Sequence, residues 1–389
     1  MSAGLGAGAA PPAAPAPSAE VDLAATPLPR LLDGLDPRTR DILMEIEVVR
    51  YGRGIPGWPD DKPFSRLRST ARFAGEAFFV QHEIEDLSIQ RPPQHETIAF
   101  DGHRTYVRGE HTPGWLITSR RFILPPDLRQ LGFVGQTGLG LGWLAAEGRD
   151  LQDDLADAVE IDRRTEDGRL HVAFAFRRAD GRPLDRGQFE MVLDRRDGFT
   201  RLLAVGDRST EPRPDGSMAV VRRSGIRAVA WETTPDGLHL PRESEYLMEQ
   251  TPLAGSSISS RSTLTLHEAR TASAEETLEL IRAFARPRPG ETVFDTDLRL
   301  QFKTGETRFL LEGASYEAVT PLTDVPGDTV QEILRQARRL DGGWRESGAV
   351  PGGGASPAPL NPVDDTLRWI LLSFGAACIV AGLVIWRRA

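Results

Sequence analysis

His171-Val-Ala-Phe-Ala-Phe176 and, a turn later, Phe189-Glu-Met-Val-Leu193 decide how this chain folds. In the first run Val172, Phe174 and Phe176 point one way and His171, Ala173 and Ala175 the other, the two-residue period of a half-buried strand. In the second, Phe189, Met191 and Leu193 share a face and Glu190 lies opposite. Five Asp-Gly pairs punctuate the surrounding stretch from Ala158 to Leu266: Asp167-Gly168, Asp180-Gly181, Asp197-Gly198, Asp215-Gly216 and Asp236-Gly237. A tight hairpin needs positive φ at its central residues, which glycine adopts without steric cost. The stretch reads as a series of antiparallel strands with one apolar face, and something must cover that face.

Working outward, a chain of 389 residues is ample for one large or two modest domains, and 40% apolar with 26% charged content is that of a globular protein. A net charge of −9 and the absence of a basic stripe argue against a nucleic-acid partner, which needs a positive surface. The lone cysteine, Cys378, rules out an internal disulfide framework.

Residues 1–27 are Ala/Pro-rich and read as a tether or signal remnant; Met1 to Ala10 resembles the small-residue end of a signal peptide. Asp36-Pro37 looks like an N-cap followed by proline, and Ile42, Leu43, Ile46 and Val49 predict a helix over Pro37 to Arg50. Arg72 to Ile84 reads as one long strand, with Phe78, Val80 and Ile84 on one face. A hairpin follows, Glu96 to Phe100 and Arg104 to Arg108 about Asp101-Gly102, and then a strand at Trp115 to Thr118. Asp150 to Ala158 suggests a short acidic helix. Ser273-Ala-Glu-Glu276 has capping-box spacing ahead of Leu278, Ile281 and Phe284. Strand-like alternation returns from Thr292 to Leu311, and Asp328 caps a last expected helix reaching Leu340. Residues 342–366 form a Gly/Pro/Ala/Ser-rich stalk.

No charge interrupts the chain from Trp369 to Trp386, with a tryptophan at each end and arginines just outside. That is the pattern of a transmembrane helix with interfacial aromatic residues, so residues 367–389 are expected to be a membrane anchor. Arg387 and Arg388 place the short tail in the cytoplasm and the bulk in an extracytoplasmic, periplasmic setting; a tail-anchored protein facing the cytoplasm is the competing reading.

Signals for chemistry are sparse. Gly138, Gly140 and Gly142 lack the Gly-Lys-Ser/Thr of a phosphate loop and read as a flap or bulged strand. His82, His95, His103 and His111 cluster loosely without a metal-ligand spacing, and alternation puts only His82 on the apolar face with Phe78 and Val80. Glu76, Glu83, Glu190 and Asp194 read as the wet face of the sheet, not as a paired-carboxylate site. No serine-nucleophile elbow is present. No cofactor, metal or catalytic residue is expected.

The order of parts, with Phe100-Asp-Gly102 before Tyr106, Asp127-Leu-Arg-Gln-Leu-Gly132, Val192-Leu-Asp194 before Gly198, and Gly237-Leu-His-Leu-Pro241, resembles the outer-membrane lipoprotein-sorting (lipoprotein-carrier) superfamily. The resemblance covers about Asp36 to Arg270. It implies an α+β fold: a curved antiparallel half-barrel sheet with helices on its concave face over residues 28–270. Residues 271–341 add strands and a helix packed on or extending it, and the C-terminal transmembrane helix completes the chain. It further implies a non-enzymatic, membrane-tethered domain that binds the acyl chains of a lipid or lipoprotein in an apolar hollow. Phe78, Val80, Ile98, Phe100, Val172, Phe174, Phe176, Met191 and Leu193 are the expected lining. The alternative is a structural or regulatory surface protein that binds another protein through its sheet.

Overall fold

The computed structural model of the protein describes residues 22–53, 59, 61–88, 91–110, 114–118, 126–133, 158–177, 183–213, 218–251, 258–322 and 336–340. Among these, eighteen strands join in a single sheet. The first, β1 (Ile42–Arg53), lies in the interior of the sheet with a partner along each edge. On one side a meander steps away through β2 (Pro63–Ala74), β3 (Ala77–Asp86), β4 (Gln94–Phe100), β5 (Thr105–Gly109) and β6 (Trp115–Thr118). A second meander begins at the far edge with β7 (Ala158–Glu166). It returns through β8 (Arg169–Arg177), β9 (Pro183–Arg196), β10 (Phe199–Pro212), β11 (Met218–Thr233) and β12 (His239–Gln250) to β13 (Ile258–Thr271), which closes onto β1.

The hairpins form where Asp-Gly supplies the turn: Asp167 and Gly168 have φ of 50° and 72°, Asp197 and Gly198 of 51° and 85°. The pairs at 180–181 and 215–216 lie outside the described residues.

Ahead of β1 lies helix α1 (Leu28–Asp33), and beyond β13 a longer helix, α2 (Ala274–Phe284), packs on the opposite face of the sheet. The Glu276 amide donates to Ser273 Oγ at 3.3 Å, the N-cap bond that the capping-box spacing anticipates. Helix α2 lays Ile281 and Phe284 on Ala77, Phe79 and Ala99, with Phe284 edge-on to Phe79 at 5.6 Å and 4.6 Å from Trp115. It carries the chain to β14 (Thr292–Asp295), which pairs parallel with β6. The sheet then continues through β15 (Leu300–Lys303), β16 (Arg308–Leu311), β17 (Ala314–Glu317) and β18 (Arg338–Arg339). Residues after Thr271 therefore extend the main sheet.

Several sequence expectations are corrected. The α+β half-barrel with helices filling a concave side is instead one broad, open and predominantly antiparallel sheet: among the described residues nothing pairs β7 with β18, and the two α-helices are six and eleven residues long. The helix expected over Pro37 to Arg50 is a four-residue 3-10 turn at Pro37–Arg40 and then β1. Ile42, Met44, Ile46 and Val48 share one face, with Glu45 and Glu47 between them on the other, and pairing on both edges selects that period over the helical one. The single strand from Arg72 to Ile84 is the β2–β3 hairpin, turned at Gly75, whose φ is 60°. No described helix is long and apolar enough to cross a membrane, so the single-pass anchor and the periplasmic placement built on it are not supported; the Trp369–Trp386 segment itself lies outside the described residues, as do the stalk and the acidic helix before Ala158.

The β6–β14 junction rests on a close approach. A Cβ at Gly114 would sit 2.2 Å from the Thr292 carbonyl oxygen, a backbone atom that cannot move without breaking the parallel pairing. Gly114→Ala is expected to cost about 1–3 kcal/mol and to open the connection from Thr271 to Thr292 to protease. Unchanged melting and cleavage would show that β14 has slack.

Candidate functional site

Alternation divides the sheet into two faces with separate cores. One face, called inner here, carries Met44, Ile46, Val48, Phe78, Val80, Ile98, Phe100, Val172, Phe174, Met191 and Leu193 in one buried cluster. Eight of the nine expected lining residues meet there; Phe176 lies on β8, but its side chain is outside the described residues. Phe78 stacks on Phe100 at 5.8 Å, and Phe174 meets Phe189 at 5.1 Å. These residues form a wall of buried side chains.

Among the described residues, the cover of this wall includes α1, which contributes Leu28, Leu31 and Leu32, and the 3-10 turn Pro126–Leu131, which contributes Leu131 with Phe133 just after it. Asp127-Leu-Arg-Gln-Leu-Gly132 stood out only as part of the family resemblance and residues 28–33 not at all, although the Leu31-Leu32 pair after Pro27-Leu-Pro29 was a signal available to be read. Polar bonds pin the two at their ends. The buried Arg129 guanidinium donates to the carbonyls of Thr39 (3.1 Å), Arg40 (3.0 Å) and Gly75 (3.0 Å) and lies over the Phe73 ring at 4.5 Å. Gln130 Oε1 accepts from the Leu202 amide at 3.0 Å. Arg163 on β7 donates to the carbonyls of Leu23, Ala24 and Thr26. The Thr200 amide donates to the Gly34 carbonyl at 2.8 Å.

One row of the inner face is polar. Ser69, His82 and Glu96 stand directly opposite one another across β2, β3 and β4, in the same file as Ile46 on β1. His82 is 3% exposed and Ser69 4%. Ser69 Oγ and His82 Nδ1 are 2.8 Å apart, while His82 Nε2 and Glu96 Oε2 are enclosed with no hydrogen-bond partner. Glu96 keeps part of its stem at the surface, and its carboxyl end is the enclosed part. Burial, helped by the positive charge of Arg50, pushes His82 down to about 4; burial alone pushes Glu96 up to about 7. The row is therefore uncharged between those values. His103 stays apart in the β4–β5 turn, where its amide donates to Asp101, and His95 is exposed, so the histidines do not converge; His111 is outside the described residues, and no metal-binding group of His, Cys, Asp or Glu occurs among the described ones.

Behind the row, on the outer face, a groove of about 530 Å³ is bordered by Glu45, Arg68, Thr70, Gln81, Glu83, His95 and Thr97. Arg68 there bridges Glu47 at 3.2 Å and Glu83 at 3.3 Å. Glu190 pairs with Arg164 at the surface, whereas Asp194 pairs with Arg201 in a largely buried contact. Gly138, Gly140 and Gly142 lie outside the described residues.

No family model matches the chain, and no curated protein matches it. Among solved structures it is similar to a DUF1329 family protein from Desulfovibrio piger, at 12% identity and a TM-score of 0.35, over 63% of this chain and 90% of that one. It is also similar to a porin-like protein from Bacteroides uniformis, at 7% identity and a TM-score of 0.20, over 58% of this chain and 98% of that one. Likenesses this distant carry no argument about fold family or function.

Two outcomes follow from these contacts. Arg129→Ala removes a buried cation from three carbonyls and should cost about 3 kcal/mol, with Arg129→Lys recovering only part, measured by urea unfolding. The polar row predicts opposed pH effects. Unfolding lets His82 bind a proton between about pH 4 and its ordinary 6.5, so its contribution makes stability rise with pH there. Folding lets Glu96 hold a proton between its ordinary 4.5 and about 7, so its contribution makes stability fall with pH there. Glu96→Gln should leave the rise and abolish the fall; superimposable pH profiles for the two proteins would contradict the burial of that carboxyl.

Proposed function

We propose that this chain is a non-enzymatic binding module that receives the acyl chain of a lipid or lipoprotein against the inner face of its sheet. The observation that carries the reading is the economy of the cover. An apolar wall running from Leu170 on β8 to Leu116 on β6 is closed, among the described residues, by one six-residue helix and one 3-10 turn. Two short segments pinned by hydrogen bonds at their ends are exchangeable in a way that a packed second layer is not. Exposing Leu28, Leu31 and Leu32 costs about 1.5–3 kcal/mol each, whereas burying an acyl chain returns about 0.8 kcal/mol per methylene, so a chain of about twelve methylenes offsets the loss. The close packing of the wall supports a second reading, a structural or regulatory protein that uses the sheet to bind another protein.

A fluorescent acyl probe separates the two. Native mass spectrometry of the full chain is expected to retain an acyl ligand or take one up. Leu31→Ala/Leu32→Ala, which weakens the cover, is expected to raise probe affinity, because the covered population no longer competes as strongly. Failure of both the natural chain and the double variant to bind probe or lipid leaves the protein-binding reading in place.

A further inference from the structure

The polar row interrupts the apolar wall, as Ser65, Ser262 and Asp207 do elsewhere on that face, and two of its buried atoms have no hydrogen-bond partner. A buried polar atom without a partner costs about 1–3 kcal/mol, and such atoms are uncommon in folded proteins. Here two occur side by side. His82 Nε2 and Glu96 Oε2 belong to residues opposite one another on β3 and β4. Ser69 Oγ holds the other ring nitrogen of His82 at 2.8 Å and so fixes the imidazole. Val80 and Ile98 of the wall adjoin the row, one register step along the same two strands. The arrangement is a short polar stop at the margin of an apolar surface.

We propose that Ser69, His82 and Glu96 form the head-group site for an acyl ligand on this wall, and that the head group they select is uncharged and hydroxyl-bearing. The proposal rests on the acyl-binding reading above and names its ligand class. With Nδ1 engaged by Ser69, the neutral imidazole offers a single role through Nε2, donor or acceptor, and the protonated carboxyl can supply the complementary one, which together match a glycerol or alcohol hydroxyl. A free carboxylate would face the Glu96 carboxyl; Arg50, whose charge reaches His82, stands further along the same face of β1 and outside the row.

The full-length chain is tested with two probes of the same tail, monoolein and oleate, competing against the fluorescent acyl probe at pH 6. Monoolein is expected to bind about tenfold more tightly than oleate, the effect of roughly one satisfied buried hydrogen bond. Glu96→Leu and Ser69→Ala are each expected to shrink that preference to about twofold while the acyl probe itself still binds; thermal melting confirms that both variants fold. Equal or tighter binding of oleate, or a preference that survives in both folded variants, overturns the head-group site and leaves acyl binding standing. Failure of the acyl probe to bind the natural chain overturns the reading beneath it, and the head-group site falls with it.

Discussion

Pairing along both edges of β1 sets the phase of everything around it. With β13 on one side and β2 on the other, Met44, Ile46 and Val48 have no freedom to turn outward, because a one-residue slip would reverse every side chain in two ladders at once. Their face is then continued by Leu67 and Ala71 on β2, Val80 on β3 and Ile98 on β4, and on the other side by Leu264 and Leu266 on β13. A wall of this extent in contact with water would be untenable at about 25 cal/mol per Å². The need to cover it explains why α1 and the turn at Pro126–Leu131 are where they are.

The two faces are served differently. The outer core gathers around α2, whose Ile281 and Phe284 reach Ala77, Phe79, Ala99 and Trp115, and whose C-terminal end delivers β14 to the edge of β6. The remaining outer surface of β1 to β3 is a lattice of arginines and glutamates, Arg66 and Arg68 with Glu47, Glu83 and Glu85. Partly exposed ion pairs of this kind contribute little each; their effect is to keep that face wet. The inner face instead concentrates apolar area under a small cover held by Arg129, Gln130 and Arg163. Packing holds the middle of the cover and hydrogen bonds hold its ends. The polar row of Ser69, His82 and Glu96 interrupts that face, and its uncharged state follows from its burial.

Local pattern made much of this legible. The alternation in 171–176 and 189–193 is enough to place Val172, Phe174, Met191 and Leu193 together, and the same period puts His82 among the apolar residues. It failed where two periods fit equally. Ile42, Ile46 and Val49 satisfy a helix, while Ile42, Met44, Ile46 and Val48 satisfy a strand, and only partners on both edges choose between them. It failed too where the chain carries one extra residue. Leu266 and Ala269 are both buried on the inner side although three positions apart, because the register shifts by one at His267; Leu202 and Val205 do the same across Leu203. Strict alternation would have assigned one of each pair to solvent.

By itself the sequence determined the hairpins, since Asp-Gly dictates a turn through positive φ alone, and it determined which residues of each strand are oily. Both are properties of a few consecutive residues. The tertiary structure decided which strands are neighbours, that the strands after α2 extend the sheet, and that Leu31, Leu32, Leu131 and Phe133 close the wall. It also decided that Ser69, His82 and Glu96, far apart along the chain, stand in one file. These depend on pairing between segments that carry no mark of each other, where the free energy comes from area buried jointly and from registers that no single strand contains.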